Sequence, residues 1–403
     1  MCSASSSNRS QYRPLRPGDH PVTTRGLAAL VTGTAAVLTG RIFGIVELMI
    51  IGATLAGVVV LATLMVVSPR GRLVPARRLR PQRIAAGGTA HVDLRLGHLG
   101  KVSSGLLRLR DGVAGTRGAE LHATPLRPGE QRQATYRLPP ATRGVLTVGP
   151  LEVDRIDAFG IARRRVAWLD SSELLVHPRI HPIAPPSRPR AADMASSVAT
   201  PIREFRGDDF HALRPYEQGD DLRRVHWRAT ARHDELMIRE HDDTREGRTT
   251  VVADIRESSV TAASIERILE AAASVLTAAA ARGDECALVL TDGSGPYEAF
   301  DSRSVSGLLD ALARVEPTAI TSLDPAVQVL RRSARAGTLV SLMGAGDSQS
   351  TSILGPGFQS HVSLRFGDTP QPSDPTHVVD DFTDVWTDEM QRREMRARSG
   401  AGS

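Results

Sequence analysis

Residues 219–243, GDDLRRVHWRATARHDELMIREHDD, set Asp220 and Asp221 beside Arg223, Arg224, Arg228 and Arg232, with His226, His233, His241 and Trp227 among them. Three kinds of chemistry could use such a set. Metal binding would draw on the histidines and the paired aspartates, but their spacing is neither HExxH nor another zinc pattern. Capping carboxylates and solvated histidines account for them more simply. Nucleophilic catalysis could join Ser258 to His226 and Asp221, yet no GxSxG elbow surrounds Ser258. Nucleic-acid binding could use Arg224, Arg228 and Arg232, spaced to follow phosphates along a helix face. Asp220, Asp221, Asp234, Glu235, Asp242 and Asp243 cancel that field. What remains is a set of Arg–carboxylate pairs around one Trp, the composition of a protein interface or a rigid local brace.

A second candidate is Asp254. It closes the apolar run TTVVADI (249–255), at the carboxyl end of a buried strand, where open α/β sheets place their sites. The following DIRESS resembles the D-x-S-x-S motif of von Willebrand factor A-type domains, in which carboxylate and hydroxyl oxygens hold Mg²⁺. Asp254 and Ser258 keep the spacing, Arg256 stands in the first Ser position, and Thr321 lies near the place of that fold's Thr. TDG at 291–293 offers an Asp, but one strand too early. The resemblance therefore implies a degenerate Mg²⁺ site of Asp254, Ser258 and Thr321. A guanidinium opposes a divalent cation, so Arg256 is expected to pair with Asp254 in its place. No other cofactor is expected.

Composition narrows the function classes. The chain has 403 residues, 50 basic against 45 acidic, for a net charge of +5. Lys101 is the only lysine, which excludes Schiff-base chemistry and a P-loop lysine. Aromatics make up only 4%, giving nucleic-acid bases few stacking platforms. Cys2 and Cys286 are far apart and form no CxxC.

The elements that must position these residues follow a long apolar stretch. Residues 1–25 form a polar arm rich in Arg, Pro and Ser. Residues 26–67 are almost wholly apolar, broken by Arg41 and Glu47, and are about twice the ~20 residues that one spanning helix needs. Two transmembrane helices, about 27–43 and 45–67, with Arg41 and Glu47 near the far turn, are one reading. One long helix after a re-entrant piece is the other. Arginines flank both outer ends, so the positive-inside rule places both ends, and the soluble region, on the cytoplasmic side of the cell membrane.

Residues 73–183 alternate apolar and polar in short runs such as AHVDLRLGHL and GVLTVGPLEV, which predicts an all-β sandwich. His91, His98 and His122 read there as solvent-facing. Residues 184–200, APPSRPRAADMASSVAT, read as a linker or exposed loop. Within 201–365, strands at 249–255, 285–293 and 338–344 alternate with helices at 262–283, 304–317 and 324–337, predicting a mostly parallel α/β sheet. ELMIRE (235–240) is expected to pair with TTVVADI as an edge hairpin, and residues 366–403 to form a flexible tail. The segment 220–232 fits helix or strand.

EFRGDDFHALRPYEQGDDLRRVHWRATARHDELMIRE (204–240) resembles the signature of the bacterial domain-of-unknown-function fifty-eight family. The matching residues are Arg214, Tyr216, Gly219, Asp220, Asp221, Arg223, Val225, Trp227, Ala231 and Arg232. Residues 144–164 are similar to the family's G-P-x-x-x-x-x-D-P-F-G segment, with Ala158 in place of Pro. The resemblance implies a helix hairpin, a β region and an A-type-like α/β domain in that order. It implies a partner of MoxR-type AAA+ ATPases, with a transglutaminase-like membrane protein as a further associate. The expected function is thus a non-enzymatic, membrane-anchored adaptor that binds protein through the signature residues. The alternatives are a metal-dependent hydrolase using Asp254 and His226, or a nucleic-acid binder, which the charge balance disfavours.

Overall fold

The computed structural model describes residues 21–188, 212–215, 230, 237–240, 247–333, 337–345, 350–368, 376–379 and 381–399. They fall into two compact units, the first reaching Arg179 and the second beginning at Ile180.

The first unit opens with two apolar helices, α1 (Thr24–Phe43) and α2 (Val46–Val67). Thr23 caps α1, accepting from Gly26 N. Gly44, at φ 70°, ends it in the left-handed conformation that glycine adopts without strain. The turn therefore falls between Arg41 and Glu47, as the sequence predicts. The buried residues of α1 are Gly26, Gly33 and Gly40, one every seven positions, so they share a face. A Cβ on Gly33 would lie 2.9 Å from the Gly52 carbonyl, and one on Gly52 2.5 Å from the Gly33 carbonyl. This close antiparallel packing requires residues without side chains. Outward, the pair exposes Leu27, Val31, Leu38, Ile50, Leu61 and Leu64.

Nine strands follow: β1 (Arg72–Arg80), β2 (Arg83–Ala85), β3 (His91–Leu99), β4 (Leu106–Val113), β5 (Ala119–Ala123), β6 (Gln131–Arg137), β7 (Gly144–Ile156), β8 (Arg163–Leu169) and β9 (Ser172–His177). One sheet is β1-β3-β6; the other runs β2-β9-β7-β4-β5, with β8 also on β7. Alternate residues of both sheets, among them Leu94, Leu96, Leu107, Val153 and Leu174, form one core, as in a β-sandwich. A polar brace crosses it: the Arg77 guanidinium donates to Asp111, and the Tyr136 hydroxyl donates to the same carboxylate at 2.7 Å. His91 and His122 are exposed as expected, but His98 is buried, its Nε2 2.7 Å from the Val102 carbonyl. The loop folding back over β3 supplies that partner and removes the ring from water.

The second unit holds a two-stranded ribbon, β10 (Ala212–Pro215) with β11 (Met237–Glu240), and a six-stranded sheet. The sheet comprises β12 (Arg248–Ala253), β13 (Glu285–Leu290), β14 (Tyr297–Ala299), β15 (Thr338–Gly344), β16 (Ser360–Phe366) and β17 (His377–Val378). Its order is β14-β13-β12-β15-β16-β17, parallel except for β14. This is the doubly wound order, with its switch point between β12 and β15. Helices α3 (Ala262–Ala281), α4 (Val305–Ala313), α5 (Asp324–Arg332) and α6 (Phe382–Ser399) accompany it. Thr261 and Ser264 form a capping box at the start of α3.

Three expectations are corrected here. ELMIRE does not pair with TTVVADI: β12 is central, with parallel neighbours on both edges, so β11 pairs with β10 instead. The described residues after 366 are not the expected flexible tail. They add β17 and α6, whose Trp386 is fully buried and donates from Nε1 to the Ala184 carbonyl. Of the expected linker, residues 189–200 lie outside the described residues, and 184–188 are not free but a strap on the second unit. Arg282 donates to the Pro186 carbonyl, Thr338 Oγ1 to the Ser187 carbonyl at 3.0 Å, and Arg188 to Asp284.

Candidate functional site

The switch point of the sheet is occupied by Asp254, one residue past β12 and wholly buried. The parallel ladder carries it there, since its N–H donates to the Leu342 carbonyl of β15. Its carboxylate is saturated by the chain's own donors. Arg256 donates from its backbone N at 3.1 Å and from Nε at 2.9 Å to Oδ1, and from Nη2 at 2.9 Å to Oδ2. Ser259 Oγ donates to Oδ2 at 2.7 Å, and Gly344 N to the same oxygen at 3.2 Å. Thr291 Oγ1 adds a contact to Oδ1 at 3.3 Å. The guanidinium is 3% exposed, and its Nη1 donates to the Thr321 carbonyl at 3.1 Å. Burial alone would push the Asp254 carboxyl up; the hydrogen bonds from Arg256 and Ser259 and the Arg256 charge outweigh it and hold the group below the usual carboxylate range.

The expected pairing of Arg256 with Asp254 is therefore present, while the hydroxyl set is not. Ser258 is exposed and Ser259 makes the contact instead, because the turn after Arg256 brings Ser259 N back to the Arg256 carbonyl. Thr321 contributes its carbonyl, and its side chain is exposed. Asp292 binds Ser294 N and Oγ within its own loop. Sequence reasoning missed Ser259, Thr291 and Gly344. Gly344 had a structural signature only in three dimensions, since a Cβ there would lie 1.9 Å from the Ser259 carbonyl.

The opposite, amino-terminal end of the sheet carries a second buried carboxylate. Asp284 accepts from Arg188 at 2.6 Å, from Arg282 and from Thr249 Oγ1 at 3.0 Å. Burial opposes ionisation there too, and the Arg282 and Arg188 hydrogen bonds overcome it, lowering the carboxyl's pKa. Cys286 is buried, and that burial pushes its thiol up to about 12, so it is an inert packing group. Among the described residues, no three His, Cys, Asp or Glu side chains come together as a metal site.

Of the signature residues, Arg214 lies on β10, whose backbone pairs with Ile238 of β11. Tyr216, Gly219, Asp220, Asp221, Arg223, Trp227 and Arg232, with His226, lie outside the described residues.

The solved structures that the chain resembles include distant likenesses. The CARDB domain of a Pyrococcus furiosus protein, solved with di-metal ions, is 13% identical over 27% of this chain and 97% of that one, at a TM-score of 0.22. A β-glucosidase from Listeria innocua in complex with glucose is 14% identical over 26% of this chain and 16% of its own, at 0.19. The alkylpurine DNA glycosylase AlkC of Pseudomonas fluorescens, bound to DNA, is 13% identical over 32% of this chain and 38% of its own, at 0.19. Scores this low carry no argument about fold or activity. No curated protein matches the chain. The family model described as "Protein of unknown function DUF58" matches residues 212–347, which contain most of the signature, β10 to β15 and the whole Asp254–Arg256 centre, so that this stretch of the chain is similar to the DUF58 family.

Proposed function

We propose that the protein is a membrane-anchored adaptor whose soluble units bind protein partners on the cytoplasmic side. The observation that carries this reading is the saturation of Asp254. The position where doubly wound sheets present ligands is filled by Arg256, Ser259 and Gly344, which makes that end a rigid, pre-satisfied platform. We read the sheet as von Willebrand A-type, since its strand order and antiparallel edge strand β14 suit that scaffold. Asp254, Ser259 and Arg256 then stand where a cation would otherwise sit. The membrane reading rests on α1 and α2, each long and apolar enough to cross a bilayer, and on their apolar outer faces. Family resemblance points to a MoxR-type AAA+ ATPase as partner. The Asp220–Arg232 segment, with Trp227, is the surface proposed to meet it.

The test is co-purification of the tagged protein from gently solubilised native membranes, with and without ATP. A stoichiometric AAA+ ATPase, lost in Asp220→Ala/Asp221→Ala, supports the adaptor. Absence of any ATPase, together with a stoichiometric divalent metal lost in Asp254→Ala, would replace it with the metal-dependent hydrolase.

A further inference from the structure

The DAFG segment, which the proposed function leaves unused, forms the turn between β7 and β8, and this turn is built into the base of the helix pair. The Thr23 hydroxyl donates to the Gly160 and Ile161 carbonyls at 2.8 and 2.9 Å, and Thr23 N donates to Ile161 O at 2.9 Å. Gly26 lies so close that a Cβ on it would be 2.3 Å from the Ile161 carbonyl. Ile161 and Ala162 pack on Ala62 and Val66 of α2. The carbonyls that end α2 are held from the same sheet. Arg155 donates to Val66 O at 3.2 Å and to Ser68 O at 2.8 Å, and Arg164 donates to Val67 O. At about 1.5 Å per residue, the contact with Ala62 places the turn alongside the last roughly 8 Å of α2, the depth of a bilayer's headgroup region if α2 spans.

At the tip of this turn Phe159 is 72% exposed. Arg25 at the start of α1 and Arg163 and Arg164 at the start of β8 are exposed, and Arg25 Nη1 lies 3.9 Å from where a Gly160 Cβ would stand. The one acid of the turn, Asp157, is occupied by its own backbone, accepting from Phe159 N at 2.8 Å and Ala162 N at 2.6 Å. An exposed aromatic flanked along the chain by exposed arginines of β8, with Arg25 at the start of α1 beside the turn, matches an interface that is apolar below and anionic above.

We propose that the Asp157–Ala162 turn is a lipid anchor: Phe159 inserts among the upper acyl groups while Arg25, Arg163 and Arg164 bind the phosphates of anionic phospholipids. The inference rests on the membrane reading of α1 and α2.

The test uses the full chain with Cys2→Ser and a single nitrobenzoxadiazole-labelled cysteine, either Phe159→Cys or Thr54→Cys in mid-α2. Each protein is reconstituted into phosphatidylcholine vesicles with and without phosphatidylglycerol. The residue-159 probe should be quenched at least about twofold more by a nitroxide near the headgroup than by aqueous iodide, as interfacial seating requires. Phosphatidylglycerol should strengthen this quenching, and Arg25→Gln/Arg163→Gln should abolish the strengthening. If iodide quenches residue 159 while a deep nitroxide quenches residue 54, the anchor is wrong and the membrane reading stands. Seating that ignores phosphatidylglycerol overturns the arginine–phosphate part. If iodide reaches residue 54, the membrane reading fails and the anchor with it.

Discussion

Asp254 is the residue on which the candidate site turns, and its energetics can be read directly. The carboxylate and the Arg256 guanidinium are both buried, so each is tolerable only while the other is present. Asp254→Asn leaves an uncompensated buried guanidinium and should destabilise the second unit by about 3–5 kcal/mol in urea unfolding. The pH dependence has a definite sign. A carboxyl whose folded pKa is lowered adds stability that is complete above its unfolded value, near pH 4, and is lost as pH falls through the folded value. The stability gap between the wild type and Asp254→Asn should therefore narrow only below about pH 4. A gap that narrowed near neutrality would show that Asp254 is not ionised and paired. Asp284 follows the same sign, so the wild type has two buried carboxylates acting together on its acid limb.

At the scale of elements, two packings carry most of the testable content. Helix α6 is tied down by the buried Phe382, Trp386 and Met390 and by Arg393, which donates to Ser360 Oγ and the His361 carbonyl. Trp386→Ala removes a fully buried indole and its bond to Ala184 O, and should cost about 3–5 kcal/mol. It should also expose the strap at 184–188 to protease; unchanged stability and cleavage would mean α6 is dispensable. The sequence concealed this element because its acidic, Arg-rich composition resembles a solvated tail, while the apolar residues that dock it, Phe382, Trp386 and Met390, are few and four positions apart. The α1–α2 pair is the converse case. Its length and apolarity are plain in the sequence, but the glycine register is recognisable only once the partner helix is present. Gly33→Leu must push α2 away from the Gly52 carbonyl and should destabilise the hairpin by roughly 1–3 kcal/mol, as overpacking does. Disulfide cross-linking between cysteines introduced on the two facing helices should then fall sharply.

For the whole molecule, charge distribution makes the clearest statement. Under the positive-inside rule, the arginines before α1 and after α2 favour the proposed topology, with both outer ends on the cytoplasmic side. Cys286 is buried, so a membrane-impermeant maleimide should report on Cys2 alone. Labelling is expected in inverted membrane vesicles and not in right-side-out ones; the reverse pattern would turn the proposed topology over. The near balance of 50 basic and 45 acidic residues also argues that any affinity for duplex DNA will be weak, with a shallow dependence on salt.

The sequence by itself determined what depends on neighbours along the chain. Apolar length marked α1 and α2, two-residue alternation marked the sandwich, and alternating strands and helices marked the parallel sheet. Arg256 could be set against Asp254 because the two are only two residues apart, and a guanidinium beside a carboxylate needs no fold to be understood. Tertiary structure decided what depends on contacts distant in sequence. Gly344 reaches Asp254 across 90 positions, and the turn chose Ser259 over Ser258 by closing on the Arg256 carbonyl. Strand β11 took β10 as its partner because both edges of β12 were already filled by β13 and β15. The strap and α6 found each other through Trp386 and Ala184, 202 residues apart. Such pairings are fixed by which buried donors and acceptors must be satisfied once the chain has closed, and no local pattern records them.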